Sequence, residues 1–167
     1  MNIKKIYSIF VVLIFLSGCH VYSFTGASIS PDTKTITIRQ FLNNASYVQP
    51  RLAQVLTDAV KDRFQAQTSL QLVPDNADLF LSATITDYNT KPIAIQGNET
   101  AALNRLTVTI NVKFVNKKNE KQNFETPFSR YRDYQSNLSL SAVEDQLIKE
   151  ITDDLVDDIF NKSVVNW

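Results

Sequence analysis

Apolar and polar side chains begin to alternate at Lys34. Over Lys34–Leu42, Ile36, Ile38 and Leu42 fall on one side and Thr35, Thr37 and Arg39 on the other, the two-residue period of a half-buried strand. Asn43-Asn44-Ala45-Ser46 breaks it. Pro50 suits a first helical turn, and Leu52, Val55, Leu56, Ala59, Val60 and Phe64 follow at spacings of three and four, one apolar stripe. A second strand region covers about residues 70–89, interrupted near Pro74-Asp75-Asn76. Leu79, Leu81, Ala83 and Ile85 face one way there, and Phe80, Ser82, Thr84, Thr86 and Tyr88 the other. The strongest alternation sets Leu106, Val108, Ile110, Val112 and Phe114 against Thr107, Thr109, Asn111 and Lys113. After the polar turn Asn116-Lys117-Lys118-Asn119-Glu120, residues 122–134 return as a strand that Pro127 marks as an edge or a bulge. Ser141-Ala142-Val143-Glu144 reads as a capping box. It opens a helix with Val143, Leu147, Ile148, Ile151, Leu155, Ile159 and Phe160 inward, ending near Lys162. The order strand, helix, three strands, helix predicts an α+β two-layer sandwich, with two amphipathic helices on one face of a four-stranded mixed sheet. The other face, rich in Thr and Tyr, is left bare, as antiparallel architecture permits.

Upstream, Lys4 and Lys5 precede an apolar run from Ile6 to Phe15, too short to span a membrane and of the length of a secretory signal. The run closes on Leu16-Ser17-Gly18-Cys19, which resembles the lipobox of bacterial lipoproteins, where the chain is cut before the Cys and the Cys is acylated. The expected organisation is a signal peptide over 1–18, a lipidated tether over 19–33 and a domain over 34–167. More than one acyl chain makes such an anchor stable, whereas a single chain is marginal. The residue after Cys19 is His20, not the Asp that resembles an inner-membrane retention signal. The expected location is therefore the periplasmic leaflet of the outer membrane.

Composition narrows the chemistry. The 167 residues carry 17 Lys+Arg and 17 Asp+Glu, with 44% hydrophobic residues, enough for one core and without the basic excess of a nucleic-acid binder. One Cys and one His exclude disulfide frameworks and zinc clusters, and three scattered Gly build no phosphate loop. With Cys19 lipidated and His20 in the tether, the domain has no Ser-His-Asp or Cys-His machinery. It reads as a non-enzyme without metal or cofactor. Asp153, Asp154, Asp157 and Asp158 lie on the second helix as a solvated face, since calcium loops need ligands alternating around a turn. A carboxylate-based hydrolase is the remote alternative they leave. Arg130 and Arg132, two apart on a strand, share one face and suit either bidentate anion recognition or pairing with acidic neighbours.

Several segments together resemble one family. Thr84-Ile85-Thr86-Asp87-Tyr88, Pro92-Ile93-Ala94, Asn98-Glu99-Thr100-Ala101-Ala102 and Asn104-Arg105-Leu106-Thr107-Val108 carry the resemblance. Val112-Lys113-Phe114-Val115-Asn116, Phe128-Ser129-Arg130-Tyr131 and Asp158-Ile159-Phe160-Asn161-Lys162 continue it. Over nearly the whole mature chain the sequence is similar to the LPS-assembly lipoprotein LptE family. The resemblance implies two helices packed on a four-stranded sheet behind a lipid anchor. It also implies a plug inside the lumen of the LptD barrel that assists the barrel's assembly and the passage of lipopolysaccharide to the outer leaflet. Basic residues serve lipopolysaccharide binding in that family, and by chemistry the candidates here are Lys91, Arg105, Arg130 and Arg132. The competing reading is a free periplasmic lipoprotein that binds a small ligand or peptide on its bare sheet face.

Overall fold

The computed structural model describes residues 29–93 and 103–165. The expectations for the signal peptide and for Cys19 and most of the tether lie outside the described residues, as does the resemblance segment Asn98–Ala102.

The chain runs β1 (Thr35–Ile38), β2 (Leu42–Asn43), helix α1 (Leu52–Gln67), β3 (Gln71–Leu72), β4 (Leu79–Ile93) and β5 (Leu103–Asn116). A 3-10 turn at Glu120–Gln122 then leads to β6 (Phe124–Gln135) and helix α2 (Leu140–Phe160), which closes in a π turn at Asn161–Val165. The sheet order is β3-β1-β4-β5-β6, with β2 beside β4. β1 lies parallel to β3 and β4, whereas β4, β5 and β6 form an antiparallel meander. Among the described residues the mixed α+β sheet therefore has six strands where the sequence pattern predicts four. The additional two are two-residue pieces on the β1 side. β1 pairs with Leu79–Leu81 and β2 with Thr84–Ile85, so the single strand expected over 34–42 breaks after Ile38. In the break Phe41 turns inward, its N–H donating to Thr57 Oγ1 at 3.0 Å, and Leu42 is left 59% exposed. Phe41 takes the core place that alternation assigns to Leu42. Asn76 turns the chain after β3 with φ 58, left-handed backbone that Asn tolerates.

The inner sheet face and the helix stripes make one core. Leu79, Leu81 and Ile85 of β4 and Leu106, Val108, Ile110, Val112 and Phe114 of β5 are buried, opposite Leu56, Val60 and Phe64 of α1 and Ile151, Leu155 and Ile159 of α2. Phe64 meets Phe160 edge to face at 5.2 Å, joining the two helices. Burying one such side chain contributes about 1.5–3 kcal/mol over leaving it in water. Helix starts differ from expectation. Gln49 Oε1 accepts the N–H groups of Arg51 and Leu52 at 2.8 and 2.9 Å, satisfying the first donors of α1. The expected capping box is not formed: α2 begins after Ser139, and Glu144 accepts the Tyr88 hydroxyl at 2.5 Å.

That hydroxyl is within reach because of a β-bulge. Ile85 pairs with Ile110 and Asp87 with Thr109, so Thr86 is the extra residue. Beyond it the inward phase moves by one, and Tyr88, which strict alternation places on the outer face, is buried beneath α2. Burial, and then the bond to Glu144, push its phenol well above the usual value.

Candidate functional site

The four basic candidates sit on the long hairpin strands and divide between the two faces of the sheet. Lys91 and Arg105 are register partners on the outer face, β4 to β5, and Arg105 in turn pairs with Asp133 of β6. Arg105 grips that carboxylate through Nε at 2.7 Å and Nη2 at 2.9 Å, and its guanidinium lies 3.6 Å above the centre of the Tyr131 ring. Opposite charge and bidentate geometry hold Asp133 below the usual carboxylate range and push Arg105 up. Lys91 has no ion-pair partner among the described residues. Both side chains belong to paired strands, because β4 and β5 extend to Ile93 and from Leu103, farther than the period-2 pattern shows.

Arg130 and Arg132 share a face as expected, and it is the helix face. Arg130 donates to both carboxylate oxygens of Asp158, at 2.6 and 2.5 Å. Arg132 spans a turn of α2, reaching Glu150 Oε2 and Asp154 Oδ2, each at 2.8 Å. The Arg132 guanidinium holds Asp154 below the usual range, while Glu150 is lowered first by Gln146 and then by Arg132. The acidic face of α2 is thus solvated at Asp153 and Asp157, as expected, and engaged by β6 at Asp154 and Asp158. Asp154 and Asp158 fasten the helix to β6, Asp157 pairs with Arg63 of α1, and Asp153 pairs with Lys149 at 3.0 Å. No group of three His, Cys, Asp or Glu among the described residues is placed to hold a metal.

Across the rest of the bare outer face runs a hydroxyl and amide ladder. Thr109 and Ser129 hydroxyls meet at 2.9 Å, Asn111 donates to Glu125 at 2.9 Å, and Thr86 donates to the Thr109 carbonyl at 3.3 Å. Such a face is wettable, and it carries an aromatic-cationic stack at Arg105 and Tyr131. Sequence spacing brings out Arg105 as a charge but gives no sign of Tyr131 beneath it, because that contact depends on the β5–β6 register.

A family model described as LptE, lipopolysaccharide-assembly, matches residues 33–163. Among solved structures the chain is similar to a minor lipoprotein from Acinetobacter baumannii, with a TM-score of 0.51 at 16% identity over 78% of this chain and 91% of that one. It is also similar to a protein from Chlamydia trachomatis, with a TM-score of 0.52 at 7% identity over 78% of this chain and 98% of that one. At these identities the likeness is one of fold alone. No curated protein matches the chain.

Proposed function

Because the chain belongs to the LptE lipopolysaccharide-assembly family, we propose that it is an outer-membrane lipoprotein that seats in an LptD-like barrel and helps lipopolysaccharide reach the outer leaflet. The family match over residues 33–163 carries this reading, and the family's description names assembly rather than a reaction. In it, Cys19 is acylated and the tether holds the domain at the periplasmic leaflet. A plug needs a rigid body and a polar surface against a polar barrel lumen. The buried inner core and the Thr, Ser and Asn ladder of the outer face supply these.

Lys91 and Arg105 are the proposed lipopolysaccharide contacts. They stand together on the uncovered face, and Arg105 is already oriented by Asp133 and Tyr131, which lowers the ordering cost of gripping a phosphate. Arg130 and Arg132 enter this reading by keeping α2 in place, since their carboxylate partners lie on that helix whereas the partner of Arg105 lies on the neighbouring strand.

The experiment is purification of the tagged chain from outer membranes. A stoichiometric barrel of much larger mass is expected with it, and Cys19→Ala is expected to release a folded domain from the membrane. A Lys91→Glu, Arg105→Glu chain is expected to lose lipopolysaccharide binding most at low salt, where exposed charges are least screened. Isolation without a barrel, and with lipopolysaccharide binding unchanged in the double variant, points instead to a free lipoprotein using its bare sheet face.

A further inference from the structure

The two long sides of the sheet are finished differently. β6 carries Pro127 in its interior, and Arg130 and Arg132 tie that strand to α2, devices that keep an edge from pairing with another chain. On the opposite side, β1 covers β4 only at Leu79–Leu81 and β2 only at Thr84–Ile85. From the bulge onward β4 pairs, among the described residues, with β5 alone.

The direction of the remaining main-chain groups follows from the bonds before the bulge. The Leu81 and Ile85 carbonyls accept the Arg39 and Asn44 N–H groups at 3.0 and 2.9 Å, so residues of β4 with inward side chains turn their backbone toward β1 and β2. The bulge shifts side-chain and backbone phase together by one residue. Tyr88 and Thr90 therefore aim N–H and C=O at the uncovered side, and Pro92, whose nitrogen has no hydrogen to donate, falls in the same phase at the far end. No main chain among the described residues takes these groups. Beside them opens a cleft of about 480 Å³, lined by Tyr47, Tyr88 and Leu140 together with the polar Ser46, Asp87, Asn89 and Thr90. Tyr47 stacks on Tyr88 at 5.7 Å and is 63% exposed.

We propose that the free edge of β4 at Tyr88–Thr90 accepts an extended segment of a protein partner as an added strand, with an apolar side chain of that segment in the cleft between Tyr47 and Leu140. The row of donors and acceptors repeats every second residue, and an extended main chain is the partner that repeats in the same way. The cleft offers Tyr47, Tyr88 and Leu140 to an apolar side chain and Asp87 and Asn89 to polar ones, which suits a strand alternating apolar and polar residues. The inference stands apart from the barrel reading, since it rests on edge geometry and names no barrel.

The test uses the purified full chain and a fluorescein-labelled eight-residue peptide alternating valine with threonine and lysine. Two twins of the peptide are N-methylated on alternate amides of one edge or the other. Thr90→Pro removes an edge donor without touching the ladder to β5, and Thr90→Val keeps it. The peptide is expected to bind wild type and Thr90→Val alike, and Thr90→Pro at least tenfold more weakly. At least one N-methylated twin is expected to lose tenfold, and Tyr47→Ser several-fold. The twins and Tyr47→Ser decide the matter should Thr90→Pro fail to fold. Four results overturn the proposal: no binding to wild type, equal binding by wild type and folded Thr90→Pro, a dimer in sedimentation that Thr90→Pro dissociates, or an exchange-protected Thr90 amide in the free monomer. The third makes a second copy the occupant, and the fourth makes it the chain's own main chain.

Discussion

The same hairpin, β5 with β6, uses arginine in two ways. On its inner face Arg130 and Arg132 meet the carboxylates of α2, and their hydrogen bonds hold a helix against an edge strand. On its outer face Arg105 meets Asp133 directly across the ladder and rests on Tyr131, with no helix above it among the described residues. Residue type is alike, so the covering layer makes the difference. Beneath a helix a guanidinium becomes a fastener. On the outer face it is held by a carboxylate across the ladder, with an aromatic ring beneath it.

The contrast has an apolar baseline. Ile110 and Ile151 are fully buried at the centres of the sheet and helix stripes, and changing either to Ala is expected to cost about 2–5 kcal/mol in denaturant unfolding. The fasteners come next. Arg132→Ala releases Glu150 and Asp154 together and is expected to cost about 1 kcal/mol, because the pairs are partly exposed and water screens them.

That cost depends on pH in a fixed sense. Asp154 titrates lower in the folded chain than in the unfolded chain, so its contribution is complete above the unfolded carboxylate value, about 3.9, and is lost as pH falls below it. The difference in melting midpoint between wild type and Arg132→Ala is therefore expected to be full at pH 7 and to close below about pH 4. Asp157→Ala, which frees only the pair with Arg63, is expected to cost under about 0.5 kcal/mol. Arg105→Ala should leave the melting midpoint where it is and weaken lipopolysaccharide binding alone. A stability loss for Arg105→Ala equal to that of Arg132→Ala would erase the distinction between the two faces.

How far the sequence reveals this molecule depends on the range of the interaction concerned. Both helices and the alternation of β5 are legible, because period and burial agree at every position from Leu106 to Phe114. The break between Ile38 and Leu42 is not, because Phe41 is drawn inward by packing and by Thr57, a contact sixteen residues away. Nor is the role of Glu144. Its spacing from Ser141 satisfies a local rule, yet a phenol on β4 outcompetes the helix terminus for its carboxylate. At the candidate site the sequence shows that Arg130 and Arg132 share a face. Only the placement of α2 shows that this face is the covered one.

The extra residue at Thr86 gives β4 two reading frames. Before it, odd-numbered positions supply the core, and after it the even-numbered Tyr88 does, with Thr90 and Pro92 in the same phase but exposed. Deleting that one residue, by evolution or by design, restores a single frame and exchanges the faces of everything downstream. Tyr88 and Thr90 would turn outward, and Asp87 and Lys91 would turn toward the apolar layer. The distal half of the strand thus tolerates substitution far better than it tolerates a change in length, and its binding chemistry is inherited as a block whose phase a single insertion or deletion reverses.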